Sequence, residues 1–336
     1  MKRLTVLAAC FGIGLTIWML ARFGFGSILA LITAGGWGIL FAVLFHSLQV
    51  FLSACSWWII GGRCGLNGAV LYLWDYVILR CVREGVNNLL PVAQVGGEVV
   101  SARLLGHRGL GMRRAAAATI CDLTVELLSQ VAFTIVGLVL LLCLVRRSAT
   151  TDDLVESGAG VLMIGIAIFG SQWFGAISLF EKLLVKIAGH LGWTGVDGIR
   201  GLHEEIMSLY KKSSRTMVAW VAQFAGWSIG AFEVCIILHF LGHDRSVATG
   251  YVIESVGQIA KSAAFAVPGG LGVSEGGYVL VGSLFGLPPT VSIALSLIKR
   301  LREIAWGVPS LFMWQWLETR WRRESEAAPV SGVHQQ

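Results

Sequence analysis

Six stretches of the sequence are each apolar over a length that can cross a lipid bilayer. A spanning helix needs about 20 predominantly apolar residues, and the six candidates are 4–21, 38–60, 115–145, 159–179, 216–241 and 290–318. The composition agrees: 55% of the residues are hydrophobic and 14% are charged, against about 25% charged in soluble domains. We therefore predict an all-α polytopic membrane protein with about six full spans.

Lys and Arg are distributed unevenly between the two sides that these spans define. With the N-terminus placed in the cytoplasm, 18 of the 26 Lys and Arg residues fall in cytoplasmic segments and 5 in outer segments, while 3 lie inside the last span. Cytoplasmic loops of membrane proteins are enriched in these residues. We therefore predict that both termini are cytoplasmic, and the net charge of +6 needs no nucleic-acid partner to explain it.

Two polar stretches rich in Pro and Gly interrupt the apolar sequence, NNLLPVAQVGGE in the first half and FAVPGGLGVSEGG in the second. Pro91 and Pro268 are 177 positions apart, and so are Glu98 and Glu275. The spans on either side of the first stretch, shifted by the same offset, fall on two spans of the second half. The orientation derived from the charges makes the two copies antiparallel, so we predict an inverted repeat, which is typical of transporters.

Each polar stretch is predicted to be the tip of a re-entrant helical hairpin. Residues 69–90 and 247–267 form the first arms, and residues 92–105 and 276–287 the second arms, because proline breaks a helix and glycine permits a tight reversal. Unwound backbone at membrane depth is stable where it is buried in protein or lines water, and amides at a helix start favour an anion. The alternative is a structural kink whose glutamate merely caps the second arm.

Ionisable residues lie inside the spans that follow the two stretches. Asp122 and Glu126 share a helix face, being four positions apart. The offset maps them onto Lys299 and Glu303, and it maps Lys261 onto an acidic position. Such groups are costly in a membrane and usually pair or face a polar cavity. We predict that they pair across the two halves and line a cavity for a lipid headgroup, and a static ion-pair network that fixes the fold is the alternative.

The candidate substrate-binding residues are the polar and turn positions of the two stretches together with the ionisable residues of the spans. They are Asn88, Pro91, Glu98, Asp122, Glu126, Lys261, Pro268, Gly269, Gly270, Glu275, Lys299, Arg300 and Glu303. The sequence contains neither a GxxxxGK[ST] loop nor a metal-ligand spacing such as HExxH, and no nucleophile stands at a recognisable spacing from a base. No catalytic residue, cofactor or metal is therefore expected, and any driving force must come from a gradient, an ion or downhill exchange.

The repeat also sets the predicted domain boundaries. These are a first span and outer loop (1–37), the first repeat (38–145), an outer loop, span and cytoplasmic amphipathic region (146–214), the second repeat (215–320) and a disordered cytoplasmic tail (321–336). The basic and apolar residues of 180–215 favour helices lying on the inner membrane surface, and a solvated linker helix is the alternative.

The two polar stretches, extended to NNLLPVAQVGGEVVSARLL and VPGGLGVSEGG, and the later LIKRLRE together resemble the flippase-like family that includes the membrane region of lysylphosphatidylglycerol synthases. The resemblance covers roughly residues 4–320, and GVNNLLPVAQVGGE is especially similar to the branch associated with hopanoid biosynthesis. It implies a bacterial inner-membrane protein that moves a lipid between leaflets. The matching positions are Pro91, Glu98, Pro268, Gly269, Gly270, Glu275 and Arg300.

The function expected from these observations is lipid transport without enzymatic activity. No aminoacyl-transfer domain follows residue 320, so lipid aminoacylation is not expected. The expected partners are membrane lipids, with no nucleic acid. Two alternatives stay open at this point: an intramembrane enzyme acting on lipid headgroups, and a non-catalytic scaffold that binds lipid-biosynthesis proteins.

Overall fold

The computed structural model describes residues 35–90, 96–145, 201–211, 213–263 and 272–327, together with positions 26, 30 and 33. Within these ranges the chain is almost entirely helical, with nine α-helices and, in place of strands, one isolated bridge between Cys64 and Val70. The prediction of an all-α chain is confirmed for this part. The predicted spans at 4–21 and 159–179 lie outside the described residues, as do Pro91, Pro268, Gly269 and Gly270.

The helices occur as two runs of four with one short helix between them. The first half contains α1 (Trp37–Gly61), α2 (Leu73–Leu89), α3 (Gly96–Leu105) and α4 (Met112–Leu144). The connecting helix is α5 (Leu202–Tyr210). The second half contains α6 (Ser213–Phe240), α7 (Val247–Ala263), α8 (Val273–Leu284) and α9 (Pro289–Ala327). The predicted arms of the two hairpins thus coincide with α2, α3, α7 and α8 to within a few residues.

Three helices of the described chain, α1, α4 and α6, are long and apolar enough to cross a membrane. Helix α9 is longer, at 39 residues, but a cluster of charged residues between Lys299 and Glu303 interrupts its apolar sequence. Large apolar side chains on the outer surface, among them Trp37, Phe312 and Trp316, would be unfavourable in water over so wide an area. Long apolar helices with apolar outer faces support a membrane location.

Glycines with positive φ follow the end of α1 and precede the start of α8. Gly62 adopts a φ of +82° and donates its backbone N–H to Trp58 O at 2.8 Å where α1 ends. Gly272 adopts a φ of +79° before α8, and its N–H donates to Glu275 Oε2 at 2.7 Å. A residue with a Cβ is strained at such φ values.

The helix contacts of the two halves correspond to each other. Helix α1 packs along α6, α2 packs on α9, and α7 packs on α4, so all three contacts join the halves. Within the halves, α1–α2, α2–α3 and α3–α4 contacts match α6–α7, α7–α8 and α8–α9 contacts. Buried apolar residues form two clusters. One cluster is centred on Trp57, Tyr76 and Leu104, and the other on Ile237, Val252 and Val281.

Two predicted segments differ from the structure. Helix α9 continues to Ala327, so the predicted disordered tail cannot begin at 321. The sequence has no Pro or Gly between Pro309 and Pro329, and these are the residues that most disfavour a helix. Of the predicted amphipathic region 180–215, the described part forms α5 and the start of α6, and the apolar side chains Leu202, Ile206 and Leu209 of α5 are buried. Since α5 packs on α4, this apolar face contacts protein.

Candidate functional site

A polar cavity of about 270 Å³ lies among helices of both halves. Its charged lining residues are Arg80, Arg83, Glu84, Glu98, Glu126, Lys261 and Arg302. Its uncharged polar lining residues include Gln49, Asn87, Asn88, Gln130, Gln223 and Gln258. A hydrocarbon environment offers no solvation to such groups, so this concentration of charge marks the cavity as the candidate site.

Two arginines of α2 organise the acidic residues on the side of the first half. Arg80 makes a bidentate contact with Glu126, with nitrogen–oxygen distances of 2.7 and 3.0 Å. Arg83 contacts three carboxylates, Glu98 at 3.0 Å, Asp122 at 2.7 Å and Glu126 at 2.9 Å. Both guanidinium groups are buried, and a buried charge is stable when it is paired and hydrogen-bonded.

Glu98 lies in the first turn of α3, where the helix dipole favours a negative charge. Asn87 of α2 donates its amide to both carboxylate oxygens of Glu98 at 3.1 and 3.2 Å and accepts the Gly97 N–H at 2.8 Å. A Cβ at Gly97 would lie 2.4 Å from the Arg83 carbonyl oxygen. Glycine at 97 therefore allows α3 to approach α2 closely enough for these hydrogen bonds.

The second half supplies a smaller set of ion pairs to the same cavity. Arg302 of α9 donates to both oxygens of Glu233 of α6 at 2.6 and 2.7 Å. Lys261 of α7 contacts Glu303 of α9 at 2.7 Å, and its ammonium group also lies 3.4 Å from the amide oxygen of Asn88. The Lys261–Asn88 hydrogen bond joins the two halves across the cavity.

Several predicted site residues lie beside the cavity rather than in its wall. Glu275 at the start of α8 contacts Arg300 at 3.0 Å and accepts the hydroxyl of Ser274. Lys299 is buried against Glu254 of α7. A separate space of about 20 Å³ lies beside Lys299, Arg300 and Glu303, which is too small for more than about one water molecule.

Of the predicted residues, Asn88, Glu98, Glu126 and Lys261 line the cavity, and Asp122 is buried behind it, hydrogen-bonded to Ser56 at 3.2 Å. Their roles in binding a substrate stay predictions. The predicted pairing of Asp122 with Lys299 across the halves is wrong. Each has a partner in its own half because α2 offers arginines to Asp122 and α7 offers Glu254 to Lys299.

Sequence reasoning did not select the residues that hold the site together, Arg80, Arg83, Glu84, Glu233, Glu254, Arg302 and His46. The signal for four polar cavity residues was nonetheless present in α2. Arg80, Arg83, Glu84 and Asn87 occupy positions i, i+3, i+4 and i+7, which is one face of a helix. The spacing alone does not show that this face lines a cavity, because that depends on which helices pack against α2.

The geometry of the described residues does not offer a metal site, since no group of three His, Cys, Asp or Glu side chains among them could hold a metal ion. The lining residues instead present both signs of charge and several amides. Such a surface can hydrogen-bond a phosphate through its arginines and an amine or hydroxyl through its carboxylates and amides.

Comparison with known proteins identifies a family and two relatives. The model of a family described as the lysylphosphatidylglycerol synthase TM region matches residues 5–308. A UPF0104 membrane protein of Methanothermobacter thermautotrophicus is 25% identical over 286 residues, which cover 78% of this chain and 80% of the relative. A UPF0104 membrane protein of Pyrococcus horikoshii is 22% identical over 300 residues, which cover 81% and 84% of the two chains. No solved structure matches the chain.

Proposed function

The chain belongs to the lysylphosphatidylglycerol synthase TM region family, and we propose that it is a flippase-like transporter that moves a lipid between the leaflets of a bacterial inner membrane. The observation that carries this proposal is the cavity of about 270 Å³, lined by charged side chains of both halves and surrounded by helices with apolar outer faces. The proposal includes no ATPase and no aminoacyl transfer by this chain.

A lipid crosses a bilayer slowly because its polar headgroup must leave water. Moving a charged group into hydrocarbon costs many kcal/mol, whereas fixed arginines and carboxylates can replace part of its hydration. The cavity volume of about 270 Å³ is near the lower limit of small-ligand pockets, which hold roughly 300–1,000 Å³. Such a volume suits a headgroup, with the acyl chains remaining in the surrounding lipid.

In this proposal the two halves are an inverted repeat with two re-entrant hairpins, α2–α3 and α7–α8. Supporting it, Gly96 and Val273, which begin α3 and α8, are 177 positions apart, as are Met112 and Pro289, which begin α4 and α9. The matched helix contacts of the halves also support it. Substrate sites at the interface of such repeats are a general feature of transporters.

The proposed substrate is a lipid of one of two classes. A phospholipid and a hopanoid-type lipid with a polar headgroup both present a polar group to a cavity of this kind, and the sequence similarity to the hopanoid-associated branch favours the second. Both termini are placed in the cytoplasm, as the distribution of Lys and Arg predicts.

Reconstitution of the purified protein in vesicles tests the proposal directly. The vesicles contain phosphatidylethanolamine and phosphatidylglycerol with a trace of phosphatidylethanolamine labelled on its acyl chain with a dithionite-sensitive fluorophore. We expect the protein to increase the fraction of labelled lipid that reaches the outer leaflet, with the lipid chemically unchanged by mass spectrometry. The exposed Asp244 provides the control variant Asp244→Asn, which should behave as the wild type.

Other outcomes identify the alternatives. A chemically altered headgroup would contradict transport and favour an intramembrane enzyme. Unchanged lipid that stays in its leaflet, for both the labelled phospholipid and a labelled hopanoid, would contradict transport and leave the scaffold.

A further inference from the structure

His46 of α1 is buried in the cavity wall between two carboxylates that belong to different halves. Its Nε2 lies 3.2 Å from Glu84 Oε2 on α2, and its Nδ1 lies 3.6 Å from Glu233 Oε2 on α6. The Nδ1 atom has no hydrogen-bond partner among the described residues. A neutral imidazole carries one N–H, whereas the protonated ring carries two, so only the protonated ring can donate to both carboxylates.

The ion pairs of the cavity divide into two groups that meet at His46. Six carboxylates and four Lys or Arg side chains form the network within the described ranges. They are Glu84, Glu98, Asp122, Glu126, Glu233 and Glu303, with Arg80, Arg83, Lys261 and Arg302. With His46 neutral, carboxylates exceed cations by two. Burying unbalanced charge is costly, so the network favours uptake of a proton.

The groups around the ring come from every helix that packs against α1. Helix α2 presents Glu84, which Arg80 approaches at 3.7 Å. Helix α6 presents Glu233, which is held by Arg302 of α9. Helix α4 contributes Glu126, whose carboxylate is occupied by the two arginines of α2. Protonation of His46 would complete a row of alternating charges, Arg80, Glu84, His46, Glu233 and Arg302, that crosses from one half to the other.

The corresponding position in the second half cannot do the same. His46 plus the repeat offset of 177 is Gln223, which is also buried and lines the cavity. An amide does not titrate in the physiological range. Among the described lining residues, the cavity therefore has one imidazole, on one side of the interface between the halves.

Resting on the proposed function, we propose that the coupling ion of this transporter is a proton and that His46 binds it. In one cycle the imidazole takes one proton from water on one side, holds the halves together through Glu84 and Glu233, and releases that proton to water on the other side. No other bond forms or breaks. Loss of the proton removes the donor toward one of the two carboxylates and so weakens the contact between the halves.

A pH gradient across reconstituted vesicles tests this coupling. The vesicles contain phosphatidylethanolamine and phosphatidylglycerol with acyl-labelled phosphatidylethanolamine, and valinomycin with potassium clamps the membrane potential. If one proton accompanies each lipid, a gradient of one pH unit shifts the steady-state ratio of labelled lipid between leaflets by up to about tenfold. We expect that shift in the wild type and its loss in His46→Gln and in His46→Lys, which carries a permanent charge.

His239→Gln is the matched control. His239 also contacts a carboxylate, Asp244 at 2.7 Å, but it is exposed and does not line the cavity, so the gradient response should persist. Proton binding is read independently by NMR. The ring signals of His46, assigned by their absence in His46→Gln, should change with pH as the imidazole gains and loses its proton.

The outcomes separate this inference from the proposed function. Wild-type protein that moves lipid regardless of the gradient, or His46 ring signals that do not change with pH, would overturn the role of the proton and leave lipid transport standing. A wild-type protein that moves no lipid under any gradient would overturn both. A full gradient response in His46→Gln would also exclude His46 as the proton site.

Discussion

The α2–α3 and α7–α8 regions share a backbone plan, yet their second helices differ: Glu98 of α3 lines the cavity, whereas no described residue of α8 does. Both have a glutamate in the first turn of the second helix, Glu98 in α3 and Glu275 in α8. Glu98 lines the cavity of about 270 Å³, while Arg300, the partner of Glu275, lines a space of about 20 Å³. The same arrangement of helices can therefore leave a large or a small space beside its second helix, depending on side chains.

The difference lies in the residues that the two first arms direct toward their neighbours. At the positions of Arg80 and Arg83 in α2, the offset of 177 places Gly257 and Ala260 in α7. A Cβ on Gly257 would lie 2.5 Å from the ring of Tyr278, so that ring occupies the space a side chain would need. The Tyr278 ring thus fills the space beside Gly257 in the second region, whereas two arginines and their carboxylate partners line the first region.

The largest effect is expected from removing a cation of the first region. Arg83→Met leaves Glu98, Asp122 and Glu126 without the guanidinium that contacts all three. Removing one partner of a buried ion pair costs about 3–5 kcal/mol. We expect a large loss in the thermal unfolding temperature of the detergent-purified protein, measured by intrinsic fluorescence.

Arg83→Lys is the matched control, because it retains the charge but cannot reach three carboxylates with a planar fork. It should be intermediate in stability. An unfolding temperature of Arg83→Met equal to that of the wild type would show that the network does not hold the first region together.

A smaller effect is expected from adding a methyl group to the second region. Gly257→Ala forces a Cβ against Tyr278, and overpacking a dense site typically costs about 1–3 kcal/mol. Gly276→Ala, on the neighbouring helix, has nothing within 4 Å of the added Cβ and should be neutral or stabilising. Chemical denaturation in mixed micelles gives both values.

Tyr278→Leu in the Gly257→Ala background should recover part of the loss, because it removes the ring that the methyl group meets. Equal stability of Gly257→Ala and Gly276→Ala would contradict the conclusion that the Tyr278 ring fills the space beside Gly257.

The sequence predicts the positions of the helices in the two regions better than it predicts which side chains contact each other. Apolar length and the 177-residue offset locate the helices on both sides of each polar stretch, because both can be read directly from the order of residues along the chain. The pairing of Asp122 with Lys299 fails because a partner is chosen by side-chain reach in three dimensions, and Arg83 is closer to Asp122. His46 could not be selected from the sequence, since no local pattern shows that Glu84 and Glu233 approach it from two halves.

Glu98→Gln is expected to affect transport more than folding. The amide keeps the size and one acceptor of the carboxylate but loses the charge that Arg83 contacts. Hydrogen bonds with charged groups contribute roughly 1.5–3 kcal/mol, so we expect lipid movement per folded molecule to fall about tenfold or more. The vesicle assay measures the rate, and size-exclusion chromatography measures the folded fraction.

Glu275→Gln is the matching variant in the second region, and its rate and folded fraction are measured by the same two methods. Glu275 contacts Arg300 and caps α8 outside the cavity wall, so this variant should lose stability and keep its rate per folded molecule. If both variants lose transport equally, the two regions are functionally equivalent and the cavity beside Glu98 is not the sole site.

The smallest effect is expected from replacing a buried ion pair in the second region with apolar side chains. Lys299 and Glu254 are paired and lie outside the wall of the large cavity. Lys299→Met alone leaves a buried carboxylate and should be strongly destabilising, whereas Glu254→Met/Lys299→Met leaves no charge behind. Exchange of a buried pair for apolar residues is often neutral or stabilising by about 1–4 kcal/mol, so the double variant should unfold near or above the wild-type temperature. Its transport rate then decides the role of the pair: a rate near that of the wild type makes this pair structural, and a lost rate in a well-folded double variant extends the functional site beyond the cavity wall to this pair.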